Sequence, residues 1–70
     1  MERLRIMTAN LWADRVDAAG FAEQVRHFDP DVVCTQELNP AAADRLGELY
    51  GFGELQPAHD FRGMGIALKL

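Results

Sequence analysis

Three residues of this sequence have types and positions suited to chemistry: Asn10, Gln36 and Glu37. Glutamate supplies a hard carboxylate oxygen, and the two amides supply a carbonyl acceptor and N–H donors. Magnesium takes oxygen ligands and keeps several waters, so one or two protein carboxylates plus a substrate phosphate complete its shell. In that reading Glu37 is the metal ligand, and the Asn10 amide orients a water or a phosphate oxygen beside it. The same residues also read as a polar pair that ends two strands and faces solvent, because a fold does not by itself fix a function. Other chemistries find less here. Serine is absent, so no serine nucleophile exists, and Cys34, flanked by valine and without a basic neighbour, reads as a small buried hydrophobe.

The elements that must position these residues follow from periodicity. Residues 4–12 alternate, with Leu4, Ile6 and Thr8 on one face and Arg5, Met7 and Ala9 on the other, which predicts a strand. Asp14 or Asp17 caps a helix whose apolar face is Ala18, Phe21, Ala22, Val25 and Phe28. Asp29-Pro30 stops it, since the residue before proline is pushed out of the α region. Residues 31–38, DVVCTQEL, are rich in β-branched types and fit a buried strand. Asn39-Pro40 then opens a second helix, with Asn as cap and Pro at its first position. Ala43, Leu46, Leu49 and Tyr50 form its buried stripe, and Gly51 is a left-handed stop. Residues 52–62 read as loop, or as an irregular strand over 54–58. Residues 63–70 alternate Met64, Ile66, Leu68 and Leu70 against Gly65, Ala67 and Lys69, which predicts a last strand.

A strand, a helix and a second strand in this order form a crossover unit, which makes the two strands parallel. Their carboxyl ends then meet at one edge of the sheet, where open α/β sheets bind ligands. Asn10 lies at the end of the first strand and Gln36-Glu37 at the end of the second, so both come to that edge.

Composition bounds what such a site could serve. At 70 residues the chain is below the usual size of a domain and buries only about 60% of its unfolded surface, so its core is marginal. Eleven acidic residues against seven basic ones give a net charge of -4, and the basic residues are scattered, which argues against a self-sufficient nucleic-acid surface. A metal enzyme still acts on phosphates from an acidic scaffold, because the cation supplies the local positive charge. The single cysteine and the lack of a signal-peptide pattern point to a cytoplasmic setting, and no run reaches membrane-spanning length.

Three motifs carry a resemblance. Thr8-Ala9-Asn10-Leu11-Trp12, the string from Asp29-Pro30-Asp31-Val32-Val33 through Gln36-Glu37-Leu38, and Gly63-Met64-Gly65-Ile66-Ala67-Leu68 stand in order along the chain. They resemble the first-strand asparagine motif, the "DPDVV…QE" motif and the "G-x-A-I-L" strand of the endonuclease/exonuclease/phosphatase family. The resemblance implies an α/β fold in which residues 1–70 form the N-terminal β-α-β-α-β part of a four-layer α/β/β/α sandwich. It implies a phosphoester hydrolase (nuclease, phosphodiesterase or phosphatase) using Mg2+ or Mn2+. Glu37 takes the place of the family's metal ligand and Asn10 sits beside the active centre, so the resemblance implies Asn10 and Glu37 as both the catalytic and the metal-site residues. The substrates so implied are nucleic acid, inositol phosphate or phospholipid headgroup. The family's later histidine, aspartate–asparagine and aspartate–histidine motifs are not among these residues. Turnover by the chain alone is therefore not expected, and an α/β interaction module without catalysis, or an inactive truncated product, is the rival reading. Unpartnered apolar strands also predict self-association.

Four further residues carry two readings each. His59-Asp60 is either a solvated turn pair or the border of a substrate groove, and Arg62 is either a surface charge or a phosphate contact. Trp12 either packs its indole over the first helix or offers a stacking platform at the strand end. His27 reads as a helix-surface residue, while Phe21, Phe28, Leu46 and Leu49 read as core.

Overall fold

The computed structural model describes residues 3–12, 15–59 and 62–69. Six elements follow one another: β1 (Ile6–Asn10), α1 (Ala18–Phe28), β2 (Val32–Gln36), α2 (Pro40–Leu49), β3 (Phe52–Gln56) and β4 (Met64–Leu68). Each expected strand is present, though shorter at both ends than the alternation suggested. The weakest segment, residues 52–62, contains a regular five-residue strand. Its pairing partner β4 supplies the order that Gly53 and Pro57 obscured in the sequence.

Local chemistry sets the helix ends. Asp17 caps α1, its carboxylate accepting from the Gly20 N–H at 2.9 Å, while Asp14 lies outside the described residues. Asn39 caps α2, accepting from the Ala42 N–H at 2.8 Å, with Pro40 at the first helical position. At the far end of α1, Asp29 adopts the left-handed conformation (φ 48°) and its N–H reaches the Val25 carbonyl. Gly51 makes no such turn. Tyr50 is the extended cap of α2 (φ -126°, ψ 126°), and the chain runs straight on into β3, so no left-handed reversal is needed.

The sheet has the order β1-β2-β4-β3, with β1 and β2 parallel and β4 antiparallel to both its neighbours. Both helices pack on one face, where Val33, Thr35 and Ala67 are buried with Phe21, Val25, Ala42 and Leu46. The other face is open: Ile6, Phe52 and Met64 are each about 60% exposed and Ile66 is 40% exposed. Two core expectations fail. Phe28 is 58% exposed, because Pro30 and Tyr50 close that end of the core, the Tyr50 hydroxyl donating to the Pro30 carbonyl at 2.7 Å. Cys34 is only half-buried, because it stands on the open face in register with Thr8 and Ile66.

Candidate functional site at the carboxyl edge of the parallel strands

Register decides what meets at the sheet edge. Asn10 pairs with Gln36 across β1 and β2, and Met64 pairs with Gln36 on one side and Gln56 on the other. The carboxyl ends of β1, β2 and β3 and the start of β4 therefore lie along one edge. Glu37 is the next residue after Gln36. The crossover thus brings Asn10 and Glu37 to the same edge, as their places in the sequence predicted.

A left-handed residue follows the end of each strand, at Trp12 two residues past Asn10 and at Glu37 one past Gln36. Trp12 (φ 54°) and Glu37 (φ 54°) occupy the left-handed region, which non-glycine residues rarely adopt. Such outliers persist only when the surroundings over-determine them, and they cluster at functional sites. Here the surroundings are visible. Leu11 is 2% exposed and donates its N–H to the Gln36 carbonyl at 2.9 Å. Leu38 is fully buried, donates to the Gly63 carbonyl at 3.1 Å and accepts from the Ala58 N–H at 2.9 Å. Each candidate polar residue is thus followed by a leucine driven into the core, directly in Asn10-Leu11 and Glu37-Leu38. The backbone twists at Glu37 so that the carboxylate stays half-exposed while Leu38 is buried. The sequence signal for both leucines was an apolar residue directly after a polar strand end.

Gly63 completes the clamp. A Cβ there would lie 2.0 Å from the Leu38 carbonyl oxygen and 2.8 Å from the Ala58 nitrogen, both backbone atoms. Only glycine lets the segment entering β4 come this close to the residue that follows Glu37. The glycine of the "G-x-A" motif is therefore a positioning residue for the β2 end.

Asn10 uses its amide in a definite way. Its Oδ1 accepts from the Trp12 N–H at 2.8 Å, which fixes the side chain and occupies its oxygen, so the NH2 is the end left to offer a ligand. An amide held so presents donors to a ligand, which suits a phosphate oxygen better than a cation. Glu37 is then the hard-oxygen ligand of the pair. Among the described residues no group of three His, Cys, Asp or Glu side chains could hold a metal ion. One carboxylate fits a magnesium-like cation that keeps most of its water, and does not fit zinc, which takes three or four protein ligands.

The remaining acidic residues of the "DPDVV…QE" string do structural work at the opposite edge. The Asp29 carboxylate pairs with Lys69, and Asp31 accepts from the Arg5 N–H at 2.9 Å. A cleft of about 680 Å³ also lies at that end, lined by Arg5, His27, Phe28 and Pro30 among others, and it includes neither Asn10 nor Glu37. His27 is exposed on α1 and stacks edge-on against Phe28, as a surface residue should. His59 and Arg62 are exposed and both have partners, while Asp60 lies outside the described residues. Trp12 does not pack over α1: it is 58% exposed, because Leu11 takes the inward position.

The family described as Endonuclease/Exonuclease/phosphatase family matches residues 7–69, nearly the whole chain. No curated protein and no solved structure matches.

Proposed function

The chain belongs to the endonuclease/exonuclease/phosphatase family, and from that premise we propose that it carries the glutamate-bearing part of a divalent-metal phosphoesterase site. One observation carries the reading: Glu37, held in a left-handed turn, stands at the sheet edge where Asn10 ends the neighbouring parallel strand. Glu37 supplies a carboxylate oxygen to Mg2+ or Mn2+. Asn10 donates its NH2 to a non-bridging oxygen of the phosphoester and holds that group against the edge. Leu11 and Leu38 keep both residues from moving apart, which is the positioning that such sites depend on. The cation, when bound, serves as Lewis acid and charge sink for the phosphoryl group. A general base and a leaving-group acid are also required, and none of these residues matches the family motifs that supply them. The chain by itself should therefore hold metal and phosphate weakly and turn over no substrate.

Paramagnetic broadening by Mn2+ tests this directly. Backbone amides at the β1–β2 carboxyl edge, around Glu37, should broaden first, and Glu37→Gln should abolish the effect. Broadening centred on Asp29 and Asp31 at the other edge would overturn the assignment. Hydrolysis of a chromogenic phosphodiester by the 70-residue chain, lost on Glu37→Ala, would show instead that residues such as His59 provide the acid–base partners.

A further inference from the structure

We propose that Trp12 is a stacking platform for a planar ring, so that this site takes nucleoside phosphates in preference to inositol or lipid phosphates. The inference rests on the phosphoester reading of the same edge and adds a substrate class to it.

Trp12 is the sole tryptophan of the chain, and its indole is 58% exposed. Exposure alone would mean little. The backbone beneath it, however, is held on both sides: its N–H is bound by Asn10 Oδ1 at 2.8 Å and its carbonyl accepts from the Arg15 N–H at 3.1 Å. It sits in the left-handed region at φ 54°, where a bulky residue is a genuine outlier. Leu11 meanwhile fills the inward position that an indole would otherwise seek. The result is a large aromatic ring on a fixed backbone, turned outward, two residues from the amide proposed to hold phosphate. A ring in that place has an aromatic face to offer and no charge.

Charge narrows the ligand. A net charge of -4 with scattered basic residues provides no track for a long polyanion. Stacking on an aromatic side chain needs no such track, since every base has a π-face. A mononucleotide or a short strand end fits both facts: the base stacks on Trp12 and the adjoining phosphate lies at Asn10.

Intrinsic fluorescence of the single tryptophan reads the contact. Adenosine monophosphate, ribose 5-phosphate and inositol phosphate would be titrated into the 70-residue chain without divalent cation, excited at the red edge of the indole band. Saturable quenching by adenosine monophosphate alone is expected. Chemical shifts of the Asn10 amide would give affinity independently. Trp12→Ala should weaken adenosine monophosphate binding by roughly 5- to 150-fold, the range for loss of one stacked base, and Trp12→Phe should retain most of it. Equal binding of all three phosphates, unaffected by Trp12→Ala, would overturn the proposal, as would quenching no greater than that of free N-acetyltryptophanamide. The Glu37 assignment stands or falls separately, on the Mn2+ titration, because the stacking measurement contains no metal and can be repeated in Glu37→Gln.

Discussion

Asn10 and Gly63 show how much of the edge depends on single atoms. Asn10 commits its amide oxygen to the Trp12 N–H, so changing one end of the amide separates the two roles. Asn10→Asp keeps an acceptor for the Trp12 N–H and removes the NH2. It should preserve the fold, weaken phosphate binding, and strengthen Mn2+ binding severalfold by placing a second carboxylate near Glu37; titrations followed by amide shifts distinguish these outcomes. Gly63→Ala meets backbone atoms that cannot swing aside, with the Leu38 oxygen 2.0 Å from the new Cβ. Its cost should reach or exceed the upper end of the roughly 1–3 kcal/mol seen for overpacking. A denaturant melt that leaves the midpoint unchanged would contradict the clamp between Gly63 and Leu38.

At the level of elements, the helices are fastened by caps and the ends of the sheet by polar contacts. Asn39→Ala removes a buried cap from α2 and should cost about 1 kcal/mol. Tyr50→Phe leaves the Pro30 carbonyl without its hydroxyl donor and should cost about as much. The Tyr50 hydroxyl lies above its usual value of 10.0, chiefly through burial, so high pH ionises it less readily than a free tyrosine. The Asp29–Lys69 pair links the α1 cap to the residue after β4. Its hydrogen bond lowers the Asp29 carboxyl below 3.8 and raises the Lys69 ammonium above 10.5. The sign follows from those directions. The carboxylate contribution is complete above the unfolded value and is lost as pH falls through the lower, folded one. The ammonium contribution is complete below its unfolded value and is lost as pH rises through the higher one. Both groups are exposed, so the effect is small. Wild type and Lys69→Met should differ by a constant, small melting-temperature shift between about pH 5 and 9, and should converge as pH falls through the lowered, folded value of Asp29.

For the molecule as a whole, the surface is larger than its size requires. The accessible area is 4905 Å², against about 4400 Å² for a folded monomer of this size. Ile6, Phe52, Met64 and Ile66 are exposed large hydrophobics on the face the helices leave open. Strands β1 and β3 are the sheet's two edges. An open apolar face beside unpaired edges favours association, and a charge of -4 opposes it only within about 8 Å at physiological salt. Sedimentation at low micromolar concentration should therefore show mass increasing with concentration, and Ile66→Glu should shift it toward monomer. A wild-type monomer with a sharp, cooperative melt would show that the face is stable in water as it stands.

How far the sequence alone reached depends on the range of the interactions concerned. Alternation, the Asp17 and Asn39 caps and the Asp29-Pro30 stop are local, and they were enough to place both helices, three strands and the parallel crossover that brings Asn10 and Glu37 to one edge. Its place at a strand end singled out Glu37, and the family resemblance then weighted it as a metal ligand. Contacts between distant segments were a different matter. β3 became a strand only through its pairing with β4, and Phe28 was displaced from the core by Pro30 and Tyr50. The left-handed turns at Trp12 and Glu37 arise because Leu11 and Leu38 bury themselves in the core while Gly63 admits the Leu38 carbonyl. No spacing rule encodes that competition. Burial of one residue fixes the backbone of its neighbour, and only the assembled core determines which residue goes in and which, like the Trp12 indole, is left facing out.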